Sequence, residues 1–302
     1  MDTIGFDSHG VRCEAWHLTA QDDALTTPAG RPCVVMAHGF GATRDAGLLP
    51  FAERFAAAGC DVLVFDYRGF GGSEGSLRQD VDHRRHREDY HSAIAAARGL
   101  DGVDPERIVV WGSSYSGGHV VVVAAADHRV AGLISQGAAM DGLAALLGVR
   151  AGEGNGKTAA LTGAALADVA GAVRRRSPRM LPIVGEPGST AVISAPGALA
   201  GYGHIMGPTF RNEMCARGVL RIGLNRPVRH ASKVSCPAFL VIAEQDNIAP
   251  VSAVREVAER LGDRAETLSF DCGHFDIYVD EVFEQSVTAQ VAFLRRVLAP
   301  VA

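Results

Sequence analysis

The chain has 302 residues, of which 47% are hydrophobic and 21% are charged, and its formal net charge is −5. These values are typical of one large α/β domain or of a domain with a sizeable insertion. They favour neither nucleic acid nor an anionic membrane surface as a partner. The N-terminus has no basic region followed by an apolar one, and no run approaches about 18 apolar residues. We therefore expect a cytoplasmic protein without a membrane span.

The order of the predicted elements indicates a mostly parallel, doubly wound sheet. Two short alternating runs, joined at His9 and Gly10, predict an antiparallel hairpin at the N-terminus. Uniformly apolar runs, typical of strands covered on both faces, then alternate with helical segments. The predicted strands are 33–37, 62–65, 108–111, 130–135, 238–242 and 265–270, and the predicted helices include 87–98, 120–126, 252–261 and 281–298.

This alternation lapses between residues 139 and 235, where glycine and proline are frequent. Such an interruption is too long for a loop inside a compact domain. We therefore predict a subdomain over 139–235, inserted into a core made of 1–138 and 236–302. Met206 and Phe210 are candidates for a substrate pocket, although packing within this subdomain would explain them equally well.

A serine stands at the sharpest predicted turn of the chain. The strand that ends near Trp111 stops at Gly112, Ser114 follows two residues later, and a helix begins soon afterwards. A strand, a sharp turn with serine at its tip and a helix form a nucleophile elbow, which exposes the serine Oγ above the sheet. The usual pattern is G-x-S-x-G, and Ser116 occupies the place of its last glycine. The alternative interpretation is a serine- and glycine-rich turn that has no catalytic role.

The loop of residues 38–41 follows the first buried strand, at the edge where α/β sheets place their sites. Acyl transfer needs two hydrogen-bond donors aimed at the oxyanion that develops on the substrate. The backbone N–H groups of Phe40 and of Tyr115, the residue after the serine, are the candidates for this oxyanion hole. A glycine turn that only lets the strand end is the alternative.

Two further strands end at candidate acid–base groups. His274 follows the last predicted strand, where a histidine can act as a general base. Asp246 follows the strand 238–242 and could orient that histidine, and Glu244 is a second candidate for the same role. Among the other histidines, His86 is expected on a solvated helix start together with its neighbours.

The order Ser114, Asp246, His274, with a candidate oxyanion loop ahead of it, resembles the α/β-hydrolase family. The resemblance covers residues 1–138 and 236–302. The N-terminal hairpin and the elbow sequence are also similar to the group that contains dienelactone-hydrolase-like and Xaa-Pro-peptidase-like enzymes.

The resemblance implies an α/β-hydrolase fold, in which the 139–235 insertion forms a cap or lid over the site, and a role for each candidate residue. Ser114 would be the nucleophile, His274 the general base and Asp246 the acid that orients it. Phe40 and Tyr115 would supply the oxyanion hole. No metal ion and no organic cofactor is expected.

We therefore expect a serine hydrolase that cleaves a small-molecule carboxylic ester or thioester through an acyl-enzyme on Ser114. Three alternatives stay open. An acyltransferase would pass the same acyl group to an alcohol or amine, and a prolyl-type peptidase would need carboxylates in the cap to hold a substrate amino terminus. A protein that only binds a ligand would use the fold without catalysis. A homodimer is one option for the oligomeric state.

Overall fold

The eight predicted strands, two in the hairpin and six after it, form one sheet in the computed structural model, which describes residues 1–299. A second, two-stranded sheet pairs β7 with β8 in the 139–235 segment. The last three residues of the predicted core lie outside the described residues. The strands are β1 (Asp2–Ser8), β2 (Val11–Leu18), β3 (Arg31–Ala37), β4 (Asp61–Phe65), β5 (Val103–Ser113), β6 (Val130–Gln136), β7 (Met180–Leu181), β8 (Met214–Cys215), β9 (Ala238–Ala243) and β10 (Ala265–Phe270).

The order of strands in the large sheet is β1-β2-β4-β3-β5-β6-β9-β10. β1 and β2 are antiparallel and the six strands from β4 to β10 are parallel. Because β3 has β4 on one side and β5 on the other, the chain changes direction across the sheet at β3. The carboxyl ends of β3 and β5 therefore border a topological switch point, where open α/β sheets bind ligands.

The predicted N-terminal hairpin is confirmed. His9 and Gly10 connect β1 to β2, with φ angles of 52° and 77°. Two consecutive positive φ angles are the requirement of a two-residue type I′ turn, whose twist matches that of the flanking strands.

Helices cover both faces of the sheet. They are α1 (Leu49–Ala57), α2 (His83–Arg98), α3 (Tyr115–Ala126), α4 (Gly142–Val173), α5 (Ala198–Ile205), α6 (Val219–Ile222), α7 (Val251–Leu261) and α8 (Asp280–Val297). Val109 packs in the same core cluster as residues of α1 and α8, whereas Val110 packs with α2, α3 and α7. Neighbouring strand residues point to opposite faces, so a strand between two helical layers is apolar throughout.

Residues 139–235 contain α4, which is the longest helix, the two further helices α5 and α6, and the strands β7 and β8. Residues 158–173 belong to the second half of α4. Gly154 interrupts α4 with a φ of 84° and a ψ of 172°, so that the first half, up to Glu153, has its own direction. No helix within residues 1–299 is long and apolar enough to cross a membrane.

Gly112 allows the strand β5 to turn sharply into α3. A Cβ atom at this position would lie 2.3 Å from the carbonyl oxygen of Ser116. We expect Gly112→Ala to lower the free energy of unfolding by about 3 kcal/mol or more, because the backbone of the turn has to move. Urea denaturation of the variant measures this loss.

Gly132 in the adjacent strand β6 provides the matched control. A Cβ atom there would have its nearest neighbour at 3.5 Å, an ordinary van der Waals distance. Gly132→Ala should therefore change the stability by less than about 1 kcal/mol. Equal losses for the two variants would contradict the role given to Gly112.

Candidate active site

Ser114 occupies a strained turn between β5 and α3. Its φ of 56° and ψ of −118° lie in a region that residues with a side chain rarely adopt. The Ser114 N–H donates to the carbonyl of Gln136 at 2.9 Å, and the Ser114 carbonyl accepts from the N–H of Ala139 at 2.9 Å. The chain that leaves β6 thus holds both sides of the turn and keeps the serine at its tip.

Ser116, which departs from the usual elbow pattern, anchors this turn. Its Oγ accepts a hydrogen bond from the N–H of Ser113 at 2.8 Å. The same hydroxyl lies 2.7 Å from the carbonyl oxygen of Ala37, at the end of β3, and 2.9 Å from that of Ser113. Close packing falls instead on Gly117, where a Cβ would lie 2.7 Å from the Ala138 side chain. A serine at position 116 therefore connects the elbow to the neighbouring strand without blocking it.

The structure brings Ser114, His274 and Asp246 together. His274 Nε2 lies 3.1 Å from Ser114 Oγ, and His274 Nδ1 lies 2.5 Å from Asp246 Oδ2. The Asp246 Oδ1 accepts hydrogen bonds from the N–H groups of Ile248 at 2.8 Å and Ala249 at 2.7 Å. The carboxylate is fixed by its own loop and can in turn fix the tautomer and orientation of the imidazole.

Glu244, the second candidate for this role, faces elsewhere. Its carboxylate pairs with Arg255 at 2.5 Å, and its side chain is partly exposed. The geometry therefore distinguishes two carboxylates that stand only two positions apart in the sequence.

The loop after β3 passes directly against the serine. A Cβ atom on Gly39 would lie 3.1 Å from Ser114 Cβ, closer than most contacts of this kind, so glycine favours the close approach. The next residue, Phe40, has its carbonyl oxygen held by the hydroxyl of Tyr202 at 2.7 Å, and its ring packs edge-on against Tyr115 at 5.2 Å. The N–H of Tyr115 belongs to the first turn of α3, where helix N–H groups have no acceptor within the helix. Both candidate oxyanion donors therefore flank Ser114.

A cavity of about 550 Å³ opens from Ser114 into the 139–235 segment. Its wall is mostly apolar and includes Leu146, Val149, Leu161, Val192, Val219 and Ile222. Such a concave apolar site with a few polar groups at one end is typical of small-molecule binding.

The structure does not place Met206 and Phe210 on this cavity. Met206 is 38% exposed, and Phe210 packs against Tyr202 with 5.7 Å between ring centroids. Phe210 therefore contributes to the packing around α5, and Met206 lies partly on the protein surface. Seven of the residues that line the cavity belong to the first half of α4, for which the sequence pattern predicted no helix.

The expectation of a solvated start of α2 is wrong for His86. His86 is buried and stacks on Tyr67 at 4.0 Å, while His119 of α3 packs on Tyr115 at 4.6 Å. Within residues 1–299, neither ring has a hydrogen-bond partner for its nitrogens. Burial, followed by nearby positive charge, lowers the pKa of both histidines well below the ordinary value, which keeps them neutral.

A family model of the alpha/beta hydrolase fold matches residues 32–281. The chain belongs to the α/β-hydrolase family. The quorum-quenching protein AidA of Acinetobacter baumannii (strain MDR-ZJ06) is 40% identical over 297 residues, which cover 98% of this chain and 94% of that protein.

Two fungal proteins show the range of names among its relatives. Thiohydrolase aneE of Aspergillus aculeatus is 44% identical over 107 residues, 35% of this chain and 34% of that protein. GrgF of Penicillium sp., named a polyketide transferase, is 35% identical over 104 residues, 34% of this chain and 35% of that protein. The crystal structure of GrgF has a TM-score of 0.81 at 25% identity and covers 99% of both chains. These findings do not confirm the finer resemblance to dienelactone-hydrolase-like or Xaa-Pro-peptidase-like enzymes.

The buried neutral histidines of this α/β hydrolase predict a loss of stability in acid. The unfolded chain binds a proton on each histidine near pH 6.5, and the folded chain does not until the pH reaches its much lower pKa. The stability is therefore fully present above about pH 6.5 and decreases as the pH falls below it. Between about pH 6.5 and the lowered pKa, each such histidine should reduce the free energy of unfolding by about 1.4 kcal/mol per pH unit. Urea denaturation at a series of pH values measures this slope.

A pair of variants tests the source of the slope. His119→Gln removes one buried titratable ring, and His128→Gln removes an exposed one as the control. We expect the first variant to have a shallower pH dependence than the wild type and the second to match it. An unchanged slope in His119→Gln would contradict the assignment.

Proposed function

We propose that this protein is a serine hydrolase that cleaves carboxylic esters or thioesters through an acyl-enzyme on Ser114. The observation that carries the proposal is the continuous hydrogen-bonded series Ser114 Oγ, His274 and Asp246, with distances of 3.1 and 2.5 Å, at the mouth of an apolar cavity. A nucleophile, a base and a group that orients the base are the parts that covalent acyl transfer requires. The name of the relative aneE, a thiohydrolase, also supports the proposal.

The proposed reaction follows from the positions of these groups. His274 Nε2 takes the proton of Ser114 as its Oγ attacks the carbonyl carbon of the substrate. The C=O oxygen becomes an oxyanion, which the N–H groups of Phe40 and Tyr115 stabilise. As the oxyanion collapses, the bond to the leaving alcohol or thiol breaks, and His274 returns the proton to it. Water, activated by His274 in the same way, then cleaves the acyl-enzyme.

The charged residues of the 139–235 segment favour an ester over a peptide as the substrate. A prolyl-type peptidase would need a free carboxylate to hold the amino terminus of its substrate. Within the described part of this segment, Glu153 is the carboxylate on the cavity wall, and it is paired with Lys157 at 2.7 Å. Asp168 is likewise paired with Arg217 at 2.7 Å.

Acyl transfer is the second candidate. It uses the same acyl-enzyme but requires that an acceptor compete with water. The apolar wall of the cavity favours this competition, and GrgF carries the name of a transferase. Adding an alcohol or thiol acceptor to the ester assay distinguishes the two reactions, since transfer forms a new ester or thioester and hydrolysis forms only the free acid.

The acyl-enzyme predicts a burst of product. When the enzyme is mixed with p-nitrophenyl butyrate, octanoate or dodecanoate, deacylation slower than acylation should release one equivalent of nitrophenol per active site before the steady state. Ser114→Ala should abolish the burst and lower kcat by about 1,000-fold or more. Stopped-flow absorbance measures both quantities. A Ser114→Ala variant with wild-type turnover would contradict the proposal.

The orienting carboxylate provides a second, more selective prediction. Asp246→Asn should lower kcat by about 1,000-fold or more, because the amide no longer stabilises the protonated imidazole. Glu244→Gln should stay within about twofold of the wild type, because Glu244 pairs with Arg255 away from His274. Steady-state kinetics on the same ester compares the two variants, and a larger loss in Glu244→Gln would refute the assignment of Asp246.

A further inference from the structure

One ionised side chain of the 139–235 segment faces the cavity. The residues of α4 on the cavity wall recur at three- or four-residue intervals, from Gly142 through Leu146 and Val149 to Glu153. They therefore share one face of the helix. The other carboxylate on the wall, Asp246, is fully engaged by His274 and by its own loop. Glu153 is the acidic group left to meet a substrate.

Glu153 is held firmly by one of its two oxygens. Its Oε2 accepts hydrogen bonds from Lys157 Nζ at 2.7 Å and from Ser194 Oγ at 2.5 Å. The Lys157 side chain is only 8% exposed, and Lys157 is one of just two lysines in the chain. Gly154 breaks the helix directly after Glu153. Fixed partners of this kind give the carboxylate a defined position on the wall.

The other oxygen, Oε1, has acceptor capacity to spare. No group within residues 1–299 donates a hydrogen bond to it. Burial raises the pKa of Glu153, but the hydrogen bonds from Lys157 and Ser194 and the ammonium charge lower it below its ordinary value. The group is therefore an ionised acceptor with its charge balanced by Lys157.

We propose that Glu153 determines specificity by accepting a hydrogen bond, through Oε1, from a hydroxyl or amide N–H group on the substrate chain. This inference rests on the proposed ester or thioester hydrolysis at Ser114. Because Lys157 already balances the charge of Glu153, a neutral donor fits better than an ammonium group. A plain alkyl chain would displace water from Oε1 without replacing its hydrogen bond, which costs binding free energy. A site built to hydrogen-bond a substrate donor discriminates against the analogue that lacks it.

The test compares esters that differ only in the donor. The probes are p-nitrophenyl octanoate, its β-hydroxy and ω-hydroxy derivatives, and an ester of matched length with an amide in its chain. We expect at least one polar ester to exceed the plain ester in kcat/KM by about 10-fold or more, the effect of one hydrogen bond to a charged acceptor. The hydroxyl and amide arms identify which donor the site takes. Equal kcat/KM for all the esters would overturn the inference.

Variants test whether the preference for the polar ester depends on Glu153. The double variant Glu153→Leu with Lys157→Met removes the acceptor without leaving a buried charge unpaired, and it should abolish the preference for the polar ester. Glu153→Gln, which keeps an oxygen acceptor, serves if the double variant does not fold, and it should retain only part of the preference. Lys233→Met, at the other and exposed lysine, should leave the preference at its wild-type value. A preference that persists in the double variant would overturn the role of Glu153.

A binding measurement separates this inference from the proposed function. Failure of the proposed function would appear as the absence of a burst with every ester. In that case calorimetry with a hydroxyalkyl methyl ketone and its plain analogue, neither of which can be hydrolysed, still decides the role of Glu153. We expect the wild type to bind the hydroxylated ketone about 10-fold more tightly and the double variant to bind both equally. Equal affinities in the wild type would overturn the inference.

Discussion

The strained turn at Ser114 is the constraint on which the site depends. A residue with a side chain adopts these backbone angles only where its surroundings hold it there. Here the surrounding contacts come from two neighbouring strands. The backbone N–H of Ser114 donates a hydrogen bond to the end of β6, and the Ser116 hydroxyl donates one to the end of β3. Parallel pairing brings these strand ends to one edge of the sheet. The position of the serine hydroxyl is therefore a property of the sheet as well as of the turn.

Much of this arrangement could be predicted from the sequence, because parallel strands end at one edge. Ser114 and His274 each follow a predicted strand, so a parallel sheet brings them close together. The choice between Asp246 and Glu244 could not be made in this way. It depends on backbone N–H groups within a single loop, which residue spacing does not determine. The burial of His86 was missed because its polar neighbours along α2 indicate a solvated helix, whereas Tyr67 from outside that helix covers it.

The residues that line the cavity were harder to predict for a related reason. Apolar residues such as Met206 have the same pattern whether they line a cavity or support it from behind. Glu153 and Lys157 stand four residues apart, which on its own indicates an ordinary surface ion pair. Only the fold shows that Glu153 of this pair lines the same cavity as Ser114. In α/β folds, segments outside the sheet can change which ligand is bound while the sheet keeps the position of the site.

We propose that His274 makes Ser114, rather than Ser113 or Ser116, the nucleophile. The most direct measurement is labelling with a fluorophosphonate, which reacts covalently with activated serines, followed by peptide mapping with mass spectrometry. One label per chain on Ser114, added far more slowly in His274→Ala, is the predicted result. A label on Ser113 or Ser116, or an unchanged rate without His274, would contradict the account.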